Sequence, residues 1–278
     1  MAPRLAILAG GGDLPGRLAE TCHSAGRDVV LVALEGQAEP DRLPSGLPTA
    51  WFRMGAVGAI LDHLRTAGVG DIALAGRVRR PSLGELRPDW KAAQILARVG
   101  ALALGDDGLL RAVACVLEAE GFRVVGVPDL MADLLMPEGP VGGLDAPAEC
   151  RDDIGRGVAV ARALGRLDVG QAVVVQQGIV LGVEAIEGTD ALIDRCGDLK
   201  REGRGPVLVK VRKPQQDRRL DLPTIGTETV ARAARAGFAG IAAEAGSAIL
   251  LGRDQVARAA DAAGLFVVGT PAGAEEHP

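Results

Sequence analysis

At 278 residues the chain is long enough for two domains of ordinary size, each able to bury a core. Apolar residues at 48% and charged residues at 24% are the balance of a folded globular protein and exclude a disordered or fibrous chain. A net charge of -5, a pI near 5.4 and 2% aromatic residues with no tyrosine exclude the basic footprint and stacking platforms that nucleic-acid binding uses.

The first apolar run, Leu5 to Ala9, is cut short by glycines and reads as a buried strand rather than a signal peptide, so a cytoplasmic protein is expected. Between that strand and the next helix lies Ala9-Gly10-Gly11-Gly12-Asp13-Leu14-Pro15. Glycines in such a place let backbone N–H groups approach a phosphate at a helix N-terminus, or simply form a tight turn with no ligand. The helix has Pro15 in its first turn and Gly26 just past its end, as helix termini favour. The next strand, Asp28 to Leu34, stops at Glu35, where a ribose-binding acid would stand. The spacing Gly10, Gly12, Gly16 is one residue longer than GxGxxG, so a nicotinamide-dependent oxidoreductase stays open as an alternative.

A strand over Ala50 to Arg53 precedes a helix over Ala56 to Ala67, which carries Val57, Ile60, Leu61 and Leu64 on one face. The strand Ile72 to Ala75 leads into Gly76-Arg77-Val78-Arg79-Arg80-Pro81-Ser82-Leu83, whose arginines would suit an anionic ligand or a solvated basic loop. Asp106 or Asp107 is placed to cap a further helix, and Arg123 to Val127 reads as a strand. Strands alternating with helices predict an α/β first half with a mostly parallel sheet. Periodicity then fails between Met131 and Ala148, where Pro137, Gly139, Pro140, Gly142, Gly143 and Pro147 cluster. The expected organisation is a domain over 1–132, a linker over 133–148 and a second α/β domain over 149–278.

The second half opens with an amphipathic helix from about Asp153 to Leu164, then strands Ala172 to Gln176 and Ile179 to Val183 joined by Gln177-Gly178 as a hairpin. In Glu184-Ala185-Ile186-Glu187-Gly188-Thr189-Asp190, two acids and a hydroxyl could join a metal site, while Thr189 or Asp190 is placed to cap the next helix, and Glu187 is left open. The strand Pro206 to Val211 runs into Lys213-Pro214-Gln215-Gln216-Asp217-Arg218-Arg219-Leu220-Asp221-Leu222-Pro223-Thr224-Ile225-Gly226-Thr227. On an extended backbone, spacings of two would put Asp217, Arg219 and Asp221 on one side. Two carboxylates there suit magnesium, which takes hard oxygen ligands at about 2.1 Å and accepts substrate phosphate oxygens. The competing reading is a salt-bridged surface turn. A helix over Thr227 to Ala236, strands Gly240 to Ala243 and Ala248 to Leu250, a helix Arg253 to Ala263 and a strand Leu265 to Val268 complete the second half, with a frayed tail expected from Gly273. Cys22, Cys115, Cys150 and Cys196 form no CxxC pair, and His23, His63 and His277 show no ligand spacing, so neither zinc nor histidine chemistry is expected.

Gly10-Gly11-Gly12-Asp13-Leu14-Pro15, Gly188-Thr189-Asp190 and the run KPxQDxRxDxPxIG from Lys213 to Gly226 together resemble the UDP-2,3-diacylglucosamine pyrophosphatases of the LpxI type along nearly the whole chain. The long run is the specific part; the glycine loop alone would not decide. The resemblance implies an N-terminal Rossmann-like domain that binds substrate and a C-terminal catalytic domain. It implies a magnesium-dependent enzyme of lipid A biosynthesis, peripheral at the cytosolic face of the inner membrane. The implied reaction is hydrolysis of UDP-2,3-diacylglucosamine to UMP and 2,3-diacylglucosamine 1-phosphate.

On that resemblance Asp217 and Asp221 are expected to hold the metal, with Lys213 and Arg219 offsetting charge on the pyrophosphate. Gly10, Gly11, Gly12, Asp13, Leu14, Gly76, Arg77, Thr189, Gln216, Gly226 and Thr227 are the expected substrate-binding residues, in a cleft between two domains that close about the linker. A non-catalytic lipid or nucleotide carrier is a second alternative, and room is left for a homo-oligomer.

Overall fold

The computed structural model describes residues 2–79, 87–99 and 106–271. Arg80 to Leu83 of the arginine loop, the side chains of Asp106 and Asp107, and the tail from Gly273 lie outside the described residues. The chain divides into two compact units. The first is Met1–Ala132 together with Asp217–Asp221; the second is Asp133–Gln216 with Leu222–Pro278.

In the first unit the strands β1 (Arg4–Ala9), β2 (Val29–Leu34), β3 (Thr49–Phe52), β4 (Val69–Ala75) and β5 (Arg123–Val124) form one sheet in the order β3-β2-β1-β4-β5. All its pairings are parallel. Every residue of β2 is buried, which is why this strand reads as an uninterrupted apolar run rather than an alternating one. The helices α1 (Leu14–Ser24), α2 (Val57–Thr66), α3 (Trp90–Val99) and α4 (Asp106–Ala119) connect the strands. Ile60, Leu61 and Leu64, three of the four residues assigned to one helical face, are the buried ones of α2. They join Val30, Val32, Ile72, Leu117 and Phe122 in a single core. The strand expected over Arg123 to Val127 stops at Val124, because Val127–Leu130 turns into a short helix α5 with Pro128 in its first turn. The Asp129 carboxylate accepts the Gly126 N–H at 3.1 Å and closes that turn.

Asp71, 1% exposed on β4, is held by Arg123 through Nε at 2.7 Å and Nη2 at 2.6 Å, and by Arg27. The Arg123 hydrogen bond is the chief reason its carboxyl lies below the ordinary aspartate value.

The second unit is built on a mixed sheet. Its strands are β6 (Gly139–Pro140), β7 (Ala172–Gln176), β8 (Ile179–Val183), β9 (Val207–Lys210), β11 (Gly240–Glu244) and β13 (Phe266–Thr270), ordered β6-β13-β11-β9-β7-β8. The pairings β9–β11–β13 are parallel and the outer ones antiparallel. Two short parallel strands, β10 (Thr224–Ile225) and β12 (Ile249–Leu250), pair separately. Helix α6 (Ala148–Arg166) starts five residues before the expected Asp153 and lies against β9, where a Cβ on Gly157 would stand 2.5 Å from Val209 Cγ2. The other helices are α7 (Gly188–Asp198), α8 (Thr227–Arg235) and α9 (Arg253–Ala262). The β7–β8 hairpin turns on Gln177 (φ 50) and Gly178 (φ 75), the two positive φ values that a two-residue turn of this type requires. Buried Asp153 accepts both turn N–H groups, at 3.0 and 2.6 Å, and is paired with Arg204 at 2.7 Å.

Part of the Pro/Gly-rich stretch is built into this unit. Gly139–Pro140 pairs with β13, and Met136 and Val141 are buried in its core. Among the described residues no helix is long and apolar enough to cross a membrane.

Candidate functional site

The run from Lys213 to Thr227 leaves the second unit after Gln216 and re-enters it at Leu222. What lies between is the salt-bridged turn, the competing reading of the sequence, and not an extended segment. The Leu220 N–H donates to the Asp217 carbonyl at 3.0 Å, so the period-two argument does not hold over these residues. The turn nevertheless brings Asp217 and Arg219 together. Asp217 Oδ1 accepts the Arg219 backbone N–H at 2.9 Å, the local bonding that aspartate favours in turns, and the guanidinium Nη2 reaches Oδ2 at 2.8 Å. Arg219 Nη1 donates to Glu118 Oε1, near the end of α4, at 2.7 Å. The Arg219 hydrogen bond is the main cause of the depressed Asp217 carboxyl, while Asp217 and Glu118 push the guanidinium further up. Asp217 is therefore ionised through the neutral range. Leu220 is 5% exposed and buried in the first unit's core, which anchors the turn between Asp217 and half-buried Asp221. A Cβ on Gly126 would stand 3.1 Å from Arg219 Cα, so a glycine keeps the neighbouring backbone close.

The lead-in belongs to the second unit. Buried Gln216 folds back, its N–H donating to the Lys213 carbonyl at 3.0 Å and its Oε1 accepting the Lys213 N–H at 3.3 Å. Lys213 is 8% exposed, and its Nζ is 2.5 Å from Asp168 Oδ1. The close approach of Lys213 to the end of α6 is allowed by Gly165, where a Cβ would lie 3.2 Å from Lys213 Cα. On the exit side Ile225 is fully buried, and Gly226 is the N-cap of α8 with no side-chain cap for the helix. At Gly226 the backbone is extended (φ -135), and an added Cβ would meet only Leu251 Cβ at 3.9 Å. Neither strain nor crowding demands a glycine there. Lys210, buried at the end of β9, donates from Nζ to the Thr224 carbonyl at 3.2 Å.

The glycine loop follows β1, and its N–H groups are already engaged. Gly10 N–H donates to the Ala75 carbonyl at 2.8 Å, Gly11 N–H to the Arg77 carbonyl at 2.8 Å, and Gly12 N–H to Glu39 Oε2 at 2.9 Å. Arg77 N–H returns to the Gly11 carbonyl at 2.9 Å, so the loops after β1 and β4 are zipped together. A Cβ at Gly10 would stand 2.5 Å from the Arg77 carbonyl oxygen, and one at Gly76 would stand 2.7 Å from that of Gly11. These glycines are explained by backbone packing. Asp13 makes no side-chain cap for α1 and instead pairs with Arg42 Nη1 at 2.7 Å; Leu14 is buried.

Thr189 sits in the first turn of α7, where its hydroxyl donates to buried Glu184 at 2.6 Å. Neither Thr189 nor Asp190 caps that helix: the N-cap residue is Glu187, and it makes no side-chain cap bond. Glu187 pairs with Arg195 at 2.8 Å. Among the described residues no three His, Cys, Asp or Glu side chains form a metal-holding group.

Two family models match the chain, the LpxI N-terminal domain over residues 4–134 and the LpxI C-terminal domain over 137–268. The UDP-2,3-diacylglucosamine pyrophosphatase LpxI of Caulobacter vibrioides is 43% identical over 275 residues, covering 96% of this chain and 97% of that protein. The chain belongs to the LpxI family. A solved structure of CobK precorrin-6A reductase matches 100% of this chain and 91% of its own at 14% identity, with a TM-score of 0.36.

In this LpxI chain the structure adds two residues that sequence reasoning missed. Glu118 is 101 positions from its partner Arg219, with nothing local to mark it. Asp168 lies 45 positions from Lys213, just past the end of a helix where a loop residue draws no notice.

Proposed function

We propose that this chain hydrolyses the pyrophosphate bond of UDP-2,3-diacylglucosamine, releasing UMP and 2,3-diacylglucosamine 1-phosphate, with the Asp217–Asp221 turn as its chemical centre. The observation that carries the reading is the 43% identity to a pyrophosphatase of that substrate across 96% of the chain. The zipped glycine loop supports it over a nicotinamide enzyme, because the Gly10 and Gly11 N–H groups that would meet a dinucleotide pyrophosphate are bonded to Ala75 and Arg77.

A magnesium ion at this turn would take part of its shell from substrate, because among the described residues no three His, Cys, Asp or Glu side chains form a metal-holding group. A carboxylate offers about four lone-pair positions, and Arg219 makes four contacts to that of Asp217, so a metal bound there would displace the longest of them, those of Nε at 3.1 and 3.2 Å. Asp217 and Asp221 would hold the ion, whose chemistry is to polarise the phosphoanhydride and acidify a bound water.

The chain's own residues do the rest. Arg219 keeps Asp217 ionised and orients it, and Glu118 fixes the guanidinium from its other side. Lys213 offsets charge that builds on phosphoryl oxygens in the transition state. Lys213 and Asp217 are four residues apart, so chain length alone keeps them within about 14 Å of each other. The uncapped N-terminus of α8, at Gly226 and Thr227, supplies N–H groups for a phosphate oxygen. The two acyl chains place the working enzyme at the cytosolic membrane surface.

The test is release of UMP from UDP-2,3-diacylglucosamine, followed by chromatography with magnesium, with chelator, and after magnesium is restored. Metal-dependent release supports the full reading. Release that survives chelation removes the metal from it, and no release from folded protein and intact substrate removes the hydrolase.

A further inference from the structure

We infer that Asp168 is a positioning residue for the pyrophosphate cleavage, acting through Lys213. The inference rests on the proposed role of Lys213 and starts from the backbone. Helix α6 ends with the Val169 N–H on the Leu164 carbonyl at 3.1 Å and the Asp168 N–H on the Gly165 carbonyl at 2.9 Å, the paired bonds of a helix stop that needs a left-handed residue. That residue is usually glycine, which reaches the conformation without a steric penalty. Here it is Asp168, with φ 55. Of the three described non-glycine residues with positive φ, Gln177 is accounted for by the hairpin turn. The helix stop by itself would be better served by glycine, and what the aspartate adds is its side chain.

That side chain holds Lys213. The Asp168 carboxylate receives the Lys213 ammonium at 2.5 Å, and the lysine is 8% exposed, so the pair is shielded from water on the lysine side. A long flexible lysine would sample many rotamers; a fixed carboxylate selects one. The Lys213 backbone is pinned at the same time by Gln216 and by the space that Gly165 leaves open. The first residue of the Lys213-to-Gly226 run is therefore fixed at its main chain by the run itself and at its ammonium by Asp168. Strained backbone at a residue that orients a charged group is where a functional demand outweighs local stability.

The experiment compares Asp168→Gly, Asp168→Asn, Lys213→Met and the double variant Asp168→Gly/Lys213→Met in full-length protein. Each is measured for thermal stability and for steady-state UMP release. Asp168→Gly is expected to melt at or above the wild-type temperature, because glycine suits the left-handed stop, yet to lose about 10²-fold in kcat with a smaller change in KM. Asp168→Asn, which tolerates the same φ and keeps an oxygen for the ammonium, is expected to retain more activity than the glycine variant. In the Lys213→Met background, Asp168→Gly is expected to cost nothing further, since a residue acting through another has no effect once that other is gone. Wild-type kcat in Asp168→Gly would overturn the inference, as would an equal fold-loss in the two backgrounds. An inactive wild type would instead defeat the function reading, so the two failures are told apart.

Discussion

Replacing Leu220 by alanine tests whether a residue inside the Lys213-to-Gly226 run is a structural anchor of the first unit. Leu220 is 5% exposed and packs in the cluster that includes Ile60, Leu64, Leu117 and Val124, none of which is near it in sequence. Truncating a buried leucine to alanine costs about 2–5 kcal/mol, from lost transfer energy and the cavity left behind. Taking about 3 kcal/mol and about 3 °C per kcal/mol for a unit of this size, the first unit's transition is expected to fall by about 10 °C. Hydrogen exchange followed by mass spectrometry locates the loss: β1, β2 and β4 should lose protection while β9 and β11 keep theirs. Because the turn that presents Asp217 and Asp221 loses its anchor, kcat for UMP release should fall by about 10²-fold although leucine itself offers no catalytic group. A stability loss under about 1 kcal/mol, or deprotection confined to β9 and β11, would refute the placement of the turn in the first unit.

Three further outcomes follow from the geometry. Arg219→Gln removes the hydrogen bond that chiefly depresses the Asp217 carboxyl, so the acid limb of the pH–rate profile should move to higher pH; an unmoved limb would mean that Asp217 ionisation does not limit the rate. Asp71→Asn breaks the cluster that a buried carboxylate makes with Arg27 and the exposed Arg123, and should destabilise the first unit at neutral pH. Because the folded-state value of Asp71 is depressed, its contribution is present above the ordinary carboxylate value of about 3.9 and lost as pH falls below it, so wild-type and variant denaturation midpoints should converge in acid. Gly16→Ala should destabilise by about 1–3 kcal/mol despite alanine's better helix propensity, because its Cβ would stand 2.1 Å from the Arg42 carbonyl oxygen; a stabilised variant in thermal denaturation would show that the loop yields.

Much of the fold was legible because its strands bury both faces. Runs such as Val29 to Leu34 and Ala172 to Gln176 carry the same composition in sequence as in the sheet. The Gln177-Gly178 hairpin was legible from turn chemistry. The short strands Gly139–Pro140 and Thr224–Ile225 were not, since two residues have no periodicity and their pairing is set by partners on β13 and β12. At Asp217–Leu220 the sequence left an extended segment and a salt-bridged turn open, because alternating spacing is equally satisfied by a turn that returns a side chain to its own backbone. The glycine loop alone left a ligand site and a plain tight turn both readable, and the close backbone contacts of Gly10 with Arg77 and of Gly11 with Gln37 are tertiary and leave no local signal. The partners Glu118 and Asp168 depend on tertiary contact and leave no local signal.

Single-turnover UMP release by Asp217→Asn and Asp221→Asn, each with saturating magnesium and with folding verified by circular dichroism, tests whether the Asp217–Asp221 turn is the chemical centre. Both replacements keep the shape and remove the charge. Each is expected to slow the chemical step by at least about 10²-fold, the usual cost of losing one group that stabilises transition-state charge. Wild-type single-turnover rates in both variants would contradict this expectation and move the chemistry away from the Asp217–Asp221 turn.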